Sequence, residues 1–170
     1  MPASIAVYCK RSVALITPVQ VFTALQEADF WTLAESRYIP PFRVQQALGD
    51  LKIENVGSGG FLEYALSYRP APLPQCVVRR LALAEGVHDP ALDELEGLHH
   101  PGIDRIRRHV KQAKDLVTLE LSSMPDQQMT ALLASEIARW LAEMGDGMIA
   151  RSDQTWWDLD DLAAYRRILP

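Results

Sequence analysis

Cysteine is scarce: the 170 residues hold two, Cys9 and Cys76, and neither belongs to a CxxC pair. A disulfide framework and a cysteine-held zinc site are therefore not indicated. Both thiols fall in runs that read as strands, Ile5–Cys9 and Cys76–Leu81, where a cysteine behaves as a small hydrophobe. The four histidines, His88, His99, His100 and His109, form no HExxH, and the adjacent pair His99-His100 precedes a proline rather than opening a helix. No apolar run approaches the roughly 18 residues of a membrane span. Met1-Pro2-Ala3-Ser4 lacks the basic segment and long apolar stretch of a secretory signal. Basic charge is also in short supply, with 17 Lys and Arg against 22 Asp and Glu, a net charge of −5 at pH 7. That balance argues against a nucleic-acid binder, which needs a basic surface to neutralise phosphates. The expectation is a cytoplasmic protein with no membrane and no nucleic-acid partner.

What remains is an ordinary globular composition, 48% hydrophobic and 23% charged. A chain of this length buries enough apolar surface for one domain, residues 1–170, without staples.

The pattern along the chain alternates between strand and helix. Ile5–Cys9 is a short apolar strand. Thr17-Pro18-Val19-Gln20 starts a helix, with Thr17 as N-cap, Pro18 at the first position and Gln20 completing a capping box. Asp29 interrupts its apolar face, and Pro40-Pro41 bar any continuation. Phe42–Leu48 forms one further helical stretch closed by Gly49. Leu51–Val56 and Phe61–Tyr68 flank Gly57-Ser58-Gly59-Gly60, a hairpin signal; Leu62, Tyr64, Leu66 and Tyr68 share one face. Cys76–Leu83 resumes as a strand after a proline-rich connector. Asp89-Pro90-Ala91 opens a short helix, and Ile103–Ala113 makes another. Charge is segregated there: residues 85–104 carry six acids and no Lys or Arg, and residues 105–114 carry five bases and no acid. Those two helices are expected to pair through their charges as solvated faces.

Leu116–Leu121 alternates as a half-buried strand. A long helix from Asp126 to Met144 carries the stripe Met129, Leu133, Ile137, Trp140, Leu141 and Met144, with Gly145 as C-cap. Gly147–Ala150 reads as a strand and Leu159–Leu169 as a closing helix. Residues 18–25, PVQVFTAL, echo residues 125–132, PDQQMTAL, at five of eight positions. The echo is either a duplication, with halves 1–84 and 85–170, or shared helix-start chemistry. The fold class expected is α+β: a mixed or antiparallel sheet with helices packed on one face, as one unit or as two ferredoxin-like strand–helix–strand halves.

Catalytic signatures are missing. There is no GxSxG or SxxK, and the Gly57–Gly60 run precedes a strand where a phosphate loop needs a helix. No catalytic residue, metal ligand or cofactor is assigned. Asp158, Asp160 and Asp161, with Asp153 upstream, form the densest acidic cluster near aromatic residues. The cluster lacks the EF-hand glycine and glutamate, and it suits a helix start, with Asp158 as N-cap. Trp156-Trp157 is the feature packing explains least. On an extended segment the two rings point to opposite faces, so one reaches the core. The other is either a binding anchor beside carboxylates or lies under the last helix.

Gly145-Asp146-Gly147-Met148-Ile149, followed by Trp156-Trp157-Asp158-Leu159-Asp160-Asp161-Leu162, resembles a pattern of bacterial polymorphic-toxin immunity proteins and related α+β domains. The resemblance covers about residues 115–165. It implies a non-catalytic protein that occludes a cognate toxin through Trp156, Trp157, Asp153, Asp158, Asp160 and Asp161; the net charge of −5 suits a basic one. The alternatives from the sequence are a small-molecule-binding regulatory domain, or a small enzyme using His88 or His109 with an acid.

Overall fold

The computed structural model describes residues 3–30, 34–35, 38–57, 63–71, 73–84, 89–122 and 126–169. Among them, eight strands form one sheet: β1 (Ser4–Cys9), β2 (Lys52–Asn55), β3 (Glu63–Ser67), β4 (Cys76–Ala82), β5 (Asp115–Leu121), β6 (Gly147–Arg151), β7 (Trp156–Leu159) and β8 (Tyr165–Leu169). Their spatial order is β2-β3-β4-β5-β1-β6-β7-β8, and every neighbouring pair is antiparallel. Five helices accompany it: α1 (Pro18–Glu27), α2 (Pro41–Gly49), α3 (Pro90–Asp93), α4 (Ile103–Gln112) and α5 (Gln127–Gly145). The class is the expected α+β.

The helices do not all lie on one face, which corrects that part of the expectation. β1 is apolar at nearly every position, so both of its faces need cover. Ile5, Val7 and Cys9 join β5 residues Val117, Leu119 and Leu121 beneath α1, α2 and α5. Ala6 and Tyr8 face the other way, where Ile103, Ile106 and Val110 of α4 and Leu95 cover them with Met148, Trp156 and Leu169. The result is three layers, α/β/α, over the middle and one end of the sheet.

Local chemistry sets the ends of the elements. Thr17 and Gln20 make the reciprocal capping box of α1, and Ala28 ends that helix in an extended conformation, one residue before Asp29. Asp89 caps α3 through the Ala91 N–H at 2.9 Å. Tyr64, Leu66 and Tyr68 all face the large core, as their alternation implies; Leu62 and Ser58-Gly59-Gly60 lie outside the described residues. Cys9 and Cys76 are not neighbours, because Cys9 faces Asp115 at one end of β5 and Cys76 faces Leu121 at the other.

The echoed segments are out of step within their helices. Pro18 is the first residue of α1, whereas α5 begins at Gln127, two residues after Pro125. Within the sheet, β2-β3-β4 runs inward from one edge towards β5, while β6-β7-β8 runs outward from β1. Charged side chains sit on both edge strands, Lys52 and Glu54 on β2 and Arg166 and Arg167 on β8, which blunts edge-to-edge association.

Two further expectations are corrected. Residues 159–169 are not a helix: β7 turns into β8, and Asp160 Oδ1 accepts the N–H groups of Leu162 (2.9 Å) and Ala164 (3.0 Å). That turn places Ala163 at φ +56°, incompatible with a helix running through it. Gly145 is not the left-handed cap; Asp146 takes that conformation, at φ 49° and ψ 60°. Glycine is needed at 145 for room, since a Cβ there would lie 2.6 Å from Cys9 Sγ and 2.7 Å from Cys9 Cβ. Among the described residues no helix is long and apolar enough to cross a membrane.

Replacing Gly145 with alanine forces the end of α5 off β1 and is expected to cost about 1–3 kcal/mol, the usual range for overpacking. Urea unfolding measures it, and an unchanged midpoint would contradict the packing account.

Candidate functional site

The tryptophan–aspartate segment forms β7, and its side chains alternate between the faces as an extended chain requires. Trp156 is 5% exposed and stacks on Tyr8, with ring centroids 5.6 Å apart. Trp157 faces α5 and meets Tyr165 edge-on at 6.0 Å, with the guanidinium groups of Arg151 and Arg167 over its ring at 5.3 and 5.6 Å. Its indole N–H donates to Thr155 Oγ1 at 2.9 Å, and Thr155 donates in turn to Asp153 Oδ1. Asp153 thus braces the β6–β7 turn.

Asp158 is buried on the α4 side. It receives both guanidinium donors of Arg166 from β8, each at 2.9 Å, and pairs with Arg105 of α4. This bidentate arrangement ties helix, strand and edge together. The basic helix α4 thus engages β7 through Arg105. Arg107 donates to the Leu95 carbonyl at 3.1 Å and lies 3.9 Å from Asp104.

The β7–β8 hairpin curls over α5. Arg139 donates to the Ala163 carbonyl at 3.4 Å while bonding Glu136 at 2.6 Å and Glu143 at 3.0 Å. Tyr165 donates to the Ser135 carbonyl. Glu136 and Arg139 therefore lie under the hairpin, with Glu136 buried. At the tip, between Asp161 and Ala163, Leu162 is 89% exposed. Its turn is held from both sides, by Asp160 and by α5.

Beside the hairpin, at the end of the sheet where β6 begins, lies a cleft of about 520 Å³. It is lined by Arg105, Arg108, His109 and Gln112 of α4 and by Asp158, Asp160 and Asp161. Lys10, Asp146 and Gly147 also line it, with Lys10 and Asp146 paired at 3.5 Å. Gly147 is another close approach, since a Cβ there would lie 2.8 Å from Ala142 Cα. His109 Nε2 lies 2.8 Å from the Tyr8 carbonyl, so that nitrogen carries the proton and Nδ1 is left as an acceptor. Burial lowers the His109 pKa, and the nearby Lys10 and Arg105 add to that, against the Tyr8 carbonyl and Asp146.

The remaining chemistry is quiet. Burial pushes both Cys9 and Cys76 up to about 12, so neither is a ready nucleophile. Among the described residues no group of three His, Cys, Asp or Glu is placed to hold a metal. His100 accepts the Gly102 N–H at 3.0 Å, and His88 lies outside the described residues. The sequence brought Trp156, Trp157, Asp153, Asp158, Asp160 and Asp161 forward as one group. The structure spreads them over two faces and two turns. It adds Leu162, which the sequence named only as the end of the tryptophan–aspartate motif, Arg108, which lay in the basic block, and Lys10, which had no signal. No family model, no curated protein and no solved structure matches the chain.

Two measurements test these assignments. Asp158→Asn leaves two guanidinium groups without their carboxylate and is expected to cost about 1–3 kcal/mol in urea unfolding; a neutral result would mean the clamp is idle. For His109, the unfolded side chain takes up a proton near pH 6.5, while the buried one resists until lower pH. The unfolded state then binds more protons, so stability falls as pH drops below about 6.5. His109→Gln should flatten the loss between about pH 7 and pH 5, and an unaltered profile would assign that loss elsewhere.

Proposed function

We propose that this is a non-catalytic, cytoplasmic protein-binding domain that neutralises a basic bacterial toxin in the manner of an immunity protein. The observation that carries the reading is the hairpin tip. A leucine that is 89% exposed, beside Asp160 and Asp161, in a turn braced by hydrogen bonds, is an apolar anchor with an acidic rim. Bracing matters because an anchor already ordered in the free protein loses little entropy on binding. The acidic rim and the net charge of −5 favour encounter with a cationic partner. The anchor in this reading is Leu162, with Asp160 and Asp161 beside it, while Trp156, Trp157, Asp153 and Asp158 serve as the scaffold that holds the hairpin.

The test is capture of partners from the source cells by the tagged protein and by a Leu162→Asp variant of unchanged melting temperature. The expected result is one stoichiometric basic protein, toxic when expressed alone, silenced by co-expression, and held at least tenfold more weakly by the variant. A captured protein that is harmless alone, equal capture by the variant, or no stoichiometric partner would each overturn the reading.

A further inference from the structure

The cleft beside the hairpin has a charge pattern that the protein-binding reading leaves unused. Its volume of about 520 Å³ falls within the range of small-molecule sites. Its walls are mostly charged or polar, which makes it a poor match for an apolar ligand.

Most of its charges are already answered within the protein. Lys10 pairs with Asp146 at 3.5 Å, Arg105 with Asp158, and Glu143 with Arg139 at 3.0 Å. Two of the lining charges have no contact partner among the described residues. Arg108, on α4, makes no hydrogen bond or ion pair among them, and Asp161, on the hairpin, makes none either and feels Arg166 only through its longer-range field. Near Arg108, Gln112 offers an amide, and His109, 7% exposed, keeps Nδ1 open as an acceptor because its Nε2 proton goes to the Tyr8 carbonyl.

We infer that this cleft binds a small zwitterion, an amino acid or short peptide whose carboxylate meets Arg108 and whose ammonium group meets Asp161. The charge arrangement selects against the simpler alternatives. A compact anion such as phosphate meets Arg108 but also faces the carboxylates of Asp146, Asp160 and Asp161. A simple cation meets Asp161 but faces Arg105 and Arg108. A zwitterion answers both charges at once, and a guanidinium holds a carboxylate through two parallel hydrogen bonds. His109 Nδ1 and the Gln112 amide then serve the polar groups between the charged ends. Arg108, His109 and Gln112 on α4 serve this inference alone, whereas Asp161 also belongs to the acidic rim of the hairpin tip, so Arg108→Gln tests the cleft without altering the proposed toxin surface.

The experiment is a backbone-amide NMR titration of the full chain with glycylglycine near neutral pH. Acetylglycine, with only the carboxylate, and glycinamide, with only the ammonium, are run beside it, as is inorganic phosphate. The expected result is saturable movement of the Gly147, Asp161 and Leu162 resonances with millimolar glycylglycine. All three comparison ligands should bind at least tenfold more weakly. Arg108→Gln should weaken the dipeptide at least tenfold with no change in melting temperature, since Arg108 is exposed and has no ion-pair partner among the described residues. No saturable shift at these positions, comparison ligands that bind as well as the dipeptide, or an Arg108→Gln variant that binds normally would each overturn the proposal.

Discussion

The pairing of β1 with β5 is the interaction on which the rest of the structure depends. Six residues near the start of the chain, Ser4 to Cys9, lie antiparallel to Glu120 back to Asp115, at the centre of the eight-stranded sheet. Val7, Val117 and Leu119 in this pair are wholly buried, so a slip of one residue would turn an apolar row to the wrong face. Asp115 fixes the register at one end. It accepts the Val13 N–H at 2.7 Å and the Ser12 hydroxyl at 2.9 Å, and it pairs with Arg80 at 2.6 Å. Burial alone would raise the pKa of this carboxyl, but the Arg80 guanidinium, the Val13 N–H and the Ser12 hydroxyl outweigh it and hold the pKa low. The central pair joins distant parts of the chain, so it carries a larger loop-closure entropy than the local hairpins do.

From that centre the two sides of the sheet diverge. Towards β2 the back of the sheet carries a charged row in which Arg79 bridges Glu63 at 2.9 Å and Glu120 at 2.7 Å. Towards β8 both faces are covered, by α4 on one side and α5 on the other. The outer strands there bend over α5 because Arg139 and Tyr165 hold them to it. The polar groups of this region are consumed in bracing: Asp158 by two arginines, Asp153 by Thr155, Glu136 by Arg139. The cleft and the exposed leucine stand out against a region in which these carboxylates are matched within the fold.

How much of this was legible in the sequence follows the range of the interactions. The capping box at Thr17 and Gln20, the alternation in β3 and β5, and the length of α5 are local signals, and they led to the right elements. The C-terminal segment misled because its local signals favour a helix: Asp158, Asp160 and Asp161 suit a helix start, and Leu162, Ala163 and Ala164 suit its interior. What overrides them is tertiary, namely the cross-strand bridge from Arg166 to Asp158 and the seat that α5 provides for Tyr165. Helices on both faces had a faint signal in the unbroken apolar run of β1, which does not say which helix covers which side. The cleft had almost none, since Lys10, Arg108 and Asp161 meet only through the strand order.

The exposed Leu162 is also informative about stability. Single exposed leucines are common on protein surfaces and need no explanation by themselves. Here, however, the turn is not loose: Asp160 spends one carboxylate oxygen on two backbone N–H groups, and Arg139, already engaged by Glu136 and Glu143, reaches the Ala163 carbonyl. A hairpin tip with no role tends to be the mobile end of its strands. This one is held from within and from below, in a conformation that keeps its one large apolar side chain in water. The bracing does nothing to bury Leu162, so its stabilising effect falls on the position of the side chain and not on its solvation. That is the arrangement expected where the order of a contact surface, more than its affinity for the rest of the fold, has been what mattered.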